Sequence, residues 1–192
     1  MSQHIFFSPE VDFPLPFKRQ ALALTYAEWP TAFSGPPNDD EPLNAPEREP
    51  HCIAWIENGE VLSYTGVQFI TLSHDGKQYR AAGISGMLTA PQARHRGLGL
   101  KVLRKAAQLM QSQAADISVF TCDPPLAVFY AAGGWEVLGN TPLIGGSRER
   151  PMRSDDFGKL SLIRCFTDHG ESIRPNLDGQ AIWLDLGERQ LW

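Results

Sequence analysis

The chain has 192 residues, 42% of them hydrophobic and 20% charged, with 17 Lys and Arg against 22 Asp and Glu for a net charge of −5. That length supports one domain with a sizeable core, and no apolar run reaches the length of a membrane span. The acidic balance disfavours general nucleic-acid binding, which needs basic surface to displace counterions. It suits a cationic small substrate and equally serves solubility alone. Three widely spaced cysteines, Cys52, Cys122 and Cys165, argue against a disulfide framework and for a reducing cytoplasm. No CxxC or HExxH spacing calls for a metal. The opening MSQHIFFSPEVDFP lacks the basic-then-apolar form of a secretion signal.

Taken in chain order, PLPFKRQALALTYAEWP (14–30) has helical spacing between prolines. The segment SGPPNDDEPLNAPEREP (34–50) is rich in proline and acid, without apolar periodicity, and reads as a long loop. HCIAWI is a strand, Asn58-Gly59 a hairpin turn and VLSYTGVQFITLS a second strand. Asp75-Gly76 turns the chain into a third strand, YRAAGISGMLT, where Gly83 and Gly86 suggest a bulge or a close backbone approach. A helix is expected from about Leu98 to Gln113. Leu100, Leu103, Ala107 and Met110 form its apolar stripe, Val102, Ala106 and Leu109 widen it, and Lys101, Arg104, Lys105, Gln108 and Gln111 take the other face. DISVFTC reads as a buried strand, PPLAVFYAAGG as a short helix framed by prolines and glycines, and WEVLG, KLSLIRCF and AIWLDLG as strands. The order is a helix, three antiparallel strands, then alternating strands and helices: a mixed α/β sheet in one domain spanning residues 1–192.

PQARHRGLGLKVLRKA (91–106) puts Arg94, His95 and Arg96 ahead of Gly97 and Gly99 at a strand-to-helix turn. No pair of glycines there has the spacing of a Walker loop, and Val102 stands where a dinucleotide fingerprint needs its third glycine. What remains, Arg94-x-x-Gly97-x-Gly99, lets main-chain amides at the positive end of a helix approach an anion, and a pyrophosphate suits it. The stretch resembles the acetyl-CoA motif of the GCN5-related N-acetyltransferase (GNAT) superfamily, [Arg/Gln]-x-x-Gly-x-[Gly/Ala]. LAVFYAAGGWEVLG is similar to that family's later element through Ala127, Phe129, Tyr130, Gly134 and Trp135. Together the two segments cover about residues 81–139.

The resemblance implies a mostly antiparallel GNAT sheet flanked by helices. It implies transfer of an acyl group from the thioester of acetyl-CoA, or another acyl-CoA, to an amine. Pantetheine is expected along Met87, Leu88 and Thr89, and pyrophosphate on the amides of His95, Arg96, Gly97, Leu98, Gly99 and Leu100 beside Arg94. Tyr130 matches the family's general acid, since a phenol near pKa 10 holds its proton at neutral pH. Many members carry a glutamate base on the strand before the motif; here the candidate catalytic position is Ser85, and no carboxylate lies between Gly83 and Thr89. Water relays the proton, a base comes from elsewhere, or the chemistry is lost. His51 and Glu57 are alternatives that read first as solvated surface. Cys122 reads as a small buried hydrophobe rather than an acyl carrier, and Asp39, Asp40, Glu41, Glu47 and Glu49 as a solvated loop that could also attract a cationic acceptor.

GGWEVLG, RERPMRSDDFGKLSLI and the terminal tryptophan resemble the aminoglycoside 2'-N-acetyltransferases, and more faintly the nodulation acyltransferases. By that resemblance Asp156 and Trp192, the latter through a terminal carboxylate, contact the amines of an amino-sugar acceptor. The expectation is a cytoplasmic N-acetyltransferase for a small-molecule amine, without metal, nucleic acid or membrane. A homodimer is left open, and a non-catalytic acyl-CoA-binding protein is the alternative.

Overall fold

The structure, a computed structural model, describes residues 2–177, 179–188 and 190–192; Met1, Asp178 and Arg189 lie outside the description. Among the described residues ten strands and four helices follow the expected order, with four additions: the strands Gln3–Pro9, Leu143–Gly146 and Pro151–Arg153 and the helix Asp168–Glu171. The strands are β1 (Gln3–Pro9), β2 (His51–Glu57), β3 (Glu60–His74), β4 (Lys77–Thr89), β5 (Ile117–Cys122), β6 (Glu136–Leu138), β7 (Leu143–Gly146), β8 (Pro151–Arg153), β9 (Leu160–Cys165) and β10 (Ile182–Trp183). The helices are α1 (Leu15–Glu28), α2 (Leu98–Ser112), α3 (Ala127–Ala131) and α4 (Asp168–Glu171). Seven strands form the main sheet in the order β1-β2-β3-β4-β5-β9-β6, and β10-β7-β8 form a small second sheet. Every described pairing in the main sheet is antiparallel except β4 with β5. No helix among the described residues is long and apolar enough to cross a membrane.

The chain divides into two compact units, Met1–Gln68 with Ile84–Ala106, and Phe69–Gly83 with Ala107–Trp192. In the first, β2 and β3 meet through Asn58 (φ 53°) and Gly59 (φ 84°), the doubly left-handed turn that the Asn-Gly pair favours because it matches strand twist. Helix α1 begins among prolines, which suit a first turn that has no use for their missing N–H. It is tied to this hairpin by Gln20, whose Nε2 donates to the Gly59 carbonyl (3.1 Å) and whose Oε1 accepts the Val61 N–H (2.8 Å). Phe13, Ala21, Cys52, Ala54, Ile56, Val61, Tyr64 and Leu88 make a buried core, edged by Phe6 and Phe17.

In the second unit, Asp75 (φ 47°) and Gly76 (φ 72°) turn β3 into β4. Strand β5 pairs with β4 only at Ala81↔Ile117 and Ala82↔Ser118, yet with β9 along its whole length. Trp135 is packed edge-on to Phe120 (5.6 Å) and donates its indole N–H to Ser118 Oγ (3.0 Å). Of the apolar stripe expected on α2, Val102, Leu103, Ala106, Ala107, Leu109 and Met110 are buried and Leu100 is half-buried.

Two expectations need correction. Strand β1 is an addition that composition hides: it is seven residues long, half exposed and at the sheet edge, where only register with β2 defines it. The expected strand AIWLDLG shrinks to Ile182–Trp183 on β7, because Asp185 adopts a left-handed φ of 51° that breaks the extended run.

Candidate active site

The glycine turn is built as a concave run of main chain. After Thr89 a short 3-10 turn, Pro91–Ala93, leads to Arg94 in extended conformation (φ −61°, ψ 157°). His95 (φ 64°) and Gly97 (φ 73°) are both left-handed, and α2 starts at Leu98. Alternation of this kind points successive N–H groups to one side, and the first-turn amides of a helix have no intrahelical acceptors. A Cβ on Gly97 would meet nothing within 4 Å, so the space that an anion needs is open. The two arginines are otherwise engaged: Arg94 donates to the Thr89 carbonyl (3.2 Å) and pairs with Glu28 (3.2 Å), and Arg96 pairs with Glu57 at 2.6 Å. The turn therefore offers backbone amides before side-chain charge. Upstream, Met87 and Thr89 are half-buried and Leu88 buried. The Leu88 carbonyl accepts the Ser63 hydroxyl (2.7 Å), which also lies 3.0 Å from Thr89 Oγ1.

Ser85 is not isolated. Its hydroxyl donates to Asn44 Oδ1, and Asn44 Nδ2 donates to Glu10 Oε2 (2.7 Å) and to Tyr64 Oη (3.1 Å). Glu10 Oε1 accepts the Leu43 N–H at 2.7 Å. Asn44 is 7% exposed, so its amide has no water to turn to. A carboxylate only accepts, which fixes the Asn44 amide with its NH₂ toward Glu10 and its oxygen toward Ser85. The single Ser85 proton is thereby committed, which leaves its oxygen as an acceptor. Gly66 makes room for this pair, since a Cβ there would collide with both Asn44 Oδ1 and Ser85 Oγ. Cys52 lies 3.5 Å from Tyr64 Oη and 4.0 Å from Glu10. Burial pushes its thiol up to about 12 and raises the Tyr64 phenol too, so neither ionises near neutral pH. The sequence offered no signal for Asn44 or Glu10, which lie in or before an aperiodic loop. Of the alternative bases, Glu57 is taken by Arg96, and His51 Nδ1 lies 2.9 Å from the Glu49 carbonyl oxygen.

In the second unit Tyr130 is 6% exposed on α3, edge-on to Phe120 at 5.0 Å and Phe129 at 5.1 Å. Burial first, then the nearby Cys122 and Asp123, raises its phenol well above its ordinary value. It keeps its proton at any physiological pH. Cys122 is 5% exposed, and burial, then Asp123, raises its thiol as well, which matches its reading as a small hydrophobe. Trp192 is buried, with its ring against Gly83 so closely that a Cβ at Gly83 would overlap it. Its carbonyl oxygen accepts from Thr121 N–H (2.8 Å) and from Thr121 Oγ1, on the stretch of β5 beyond its pairing with β4. The indole N–H is buried and meets no acceptor among the described residues. Asp156 is exposed in the 3-10 turn Asp155–Phe157; no hydrogen bond or ion pair among the described residues joins it to Trp192. Among the described residues no group of three or more His, Cys, Asp or Glu could hold a metal.

A family model described as an acetyltransferase (GNAT) domain matches residues 18–138. No curated protein matches the chain by sequence. Solved structures do match by fold. An acyl-CoA N-acyltransferase from Pseudomonas aeruginosa superposes with a TM-score of 0.59 at 16% identity, covering 85% of this chain and 100% of its own. Escherichia coli ElaA gives 0.57 at 14%, covering 85% and 99%. The glucosamine-6-phosphate N-acetyltransferase of Arabidopsis thaliana gives 0.53 at 16%, covering 68% and 90%. At these identities the likeness is one of fold.

Proposed function

The chain belongs to the GNAT acetyltransferase family, and on that premise we propose that it moves an acetyl group from CoA to a primary amine of a small molecule. The observation that carries the reading is the open glycine turn at the start of α2. Its left-handed His95 and Gly97 and its first-turn amides suit a pyrophosphate, with Met87, Leu88 and Thr89 as the pantetheine strand.

The chemistry needs a neutral amine, an aligned thioester and a proton for the leaving thiolate. Tyr130 supplies that proton, since burial keeps its phenol protonated at neutral pH, ready to donate to the thiolate as it forms. No carboxylate stands on β4 between Gly83 and Thr89. Ser85, its own proton given to Asn44, accepts a hydrogen bond from the amine or from a water that carries its proton away. The chain thereby lowers the barrier by orientation and solvation at Ser85 rather than by a strong base. Asp156 and Trp192 are assigned to the acceptor by the tail's resemblance to aminoglycoside acetyltransferases, which places amino sugars among the candidates. Ser85 in place of glutamate also favours a second reading, an acyl-CoA-binding protein without turnover.

Thiol release from acetyl-CoA and longer acyl-CoAs, measured with kanamycin, glucosamine, spermidine and phenethylamine, separates the two. Turnover with one of these amines, reduced by about 10²-fold or more in Tyr130→Phe with acetyl-CoA affinity retained, is expected. Tight acetyl-CoA binding with no thiol released for any amine would establish the non-catalytic reading.

A further inference from the structure

Outside the residues assigned to acyl transfer, the first unit holds a cavity of about 470 Å³ where β1 runs into α1. That is a volume suited to a small organic ligand. Its walls are mainly apolar, including Val11, Phe13, Pro42 and Pro50, with Glu10 at one side. Glu10 is half-buried, and among the described residues it has no ion-pair partner. Its two oxygens each take one neutral N–H, from Leu43 and Asn44, which hold the carboxylate in place without neutralising it. Asp40, Glu49, Lys18 and His51 also line the cavity. The Lys18 ammonium donates to the Asp39 carbonyl at 2.8 Å. A fixed, half-desolvated carboxylate beside apolar walls selects a cation carried on an apolar body.

We propose that this cavity binds an alkyl- or aryl-ammonium compound, with Glu10 as its counter-ion and Phe13 and the prolines around its apolar part. Resting on the amine-acetylation reading, this names the acceptor class as amphiphilic amines rather than polyhydroxylated amino sugars. The hydrogen-bonded chain Glu10–Asn44–Ser85 gives the link: the carboxylate of this cavity-lining residue also sets the Ser85 oxygen as an acceptor. An ammonium, which donates and does not accept, matches both groups.

Calorimetry without acyl-CoA tests the cavity apart from the chemistry. Phenethylammonium is expected to bind the intact chain, while its neutral analogue 2-phenylethanol and the amino sugar kanamycin bind at least tenfold more weakly. Glu10→Gln should weaken phenethylammonium about tenfold or more. Val11→Arg, at a side chain 91% exposed on the cavity wall, should weaken it by charge repulsion without disturbing Asn44. No binding of phenethylammonium, binding equal to that of the alcohol or of kanamycin, or binding unchanged in both variants overturns the proposal. If phenethylammonium binds as stated but neither it nor any other amine of the panel releases thiol from acetyl-CoA, the cavity stands and the acetylation reading falls; if only another amine releases thiol, acetylation stands and the acceptor class named here is overturned.

Discussion

Replacing Gly83 by Ala places a methyl group inside the ring of Trp192, and the size of the effect can be worked out. The ring is held by what surrounds it, and its main chain is pinned to Thr121 by two hydrogen bonds, so it cannot slide aside. Overpacking of this kind costs about 1–3 kcal/mol. Trp192→Ala removes the obstacle at its own cost. A Trp side chain buries about 150–250 Å², which at about 25 cal/mol per Å² comes to about 4–6 kcal/mol as an upper bound. Measured Trp-to-Ala losses run about 3–5 kcal/mol. In that background Gly83→Ala should be neutral or should stabilise by about 0.4–1 kcal/mol, because φ at Gly83 is not left-handed and Ala restricts the unfolded chain. The two substitutions should therefore couple by about 1–4 kcal/mol. For a chain of this size 1 kcal/mol moves Tm by about 2–4 °C. Calorimetric melting of the four proteins reads the cycle directly. An equal Tm change for Gly83→Ala in both backgrounds would refute the placement of the tryptophan, and with it the case for Trp192 near an acceptor.

Two further outcomes are expected. Gly97→Val puts a branched side chain into the open side of the glycine turn at φ 73°; the dissociation constant for acetyl-CoA should rise about tenfold or more while the circular dichroism spectrum holds, and unchanged binding would remove the pyrophosphate assignment. The Cys52 thiol titrates at about 12 in the folded chain against 9.0 as its ordinary value. A group whose folded pKa is raised stabilises fully below its unfolded pKa, so stability should be level up to about pH 9 and fall between 9 and 12 as only the unfolded chain loses that proton. Urea titrations at pH 8 and pH 10.5 should show the fall, and Cys52→Ala should lessen it; an equal loss in Cys52→Ala would assign it to other groups.

The sequence was most legible where one residue's own geometry decides the outcome. Asn58-Gly59 and Asp75-Gly76 named their turns because few residues accept two successive left-handed conformations, and α2 declared itself through its stripe of Val102, Leu103, Ala106 and Met110. The two glycines of β4 show the limit. Gly86, at φ 58°, is the irregularity that its residue type suggested. Gly83 is small for a reason that lies 109 positions away, the ring of Trp192. Asn44 and Glu10 were illegible for the same cause: nothing in an aperiodic, proline-rich loop marks one amide as the piece that joins a carboxylate to Ser85. Arg94 and Arg96 show the converse, since the motif marked them as phosphate charges and the fold gives each a carboxylate of its own.

Strand β1 carries a consequence for synthesis. It leaves the ribosome ahead of β2: Pro9 pairs with His51 and Gln3 with Glu57, partners translated 42 and 54 residues later. At about 5–20 residues per second the segment waits roughly 2–10 s with both edges bare. It contains the run Ile5-Phe6-Phe7, the composition that pairs with other chains when unprotected. In the finished fold one edge is covered by β2, and the exposed ring of Phe7 lies under the ammonium of Lys105, 3.7 Å from the ring centre. The yield of folded protein should therefore respond to translation speed and to holdase chaperones more than its final stability would suggest.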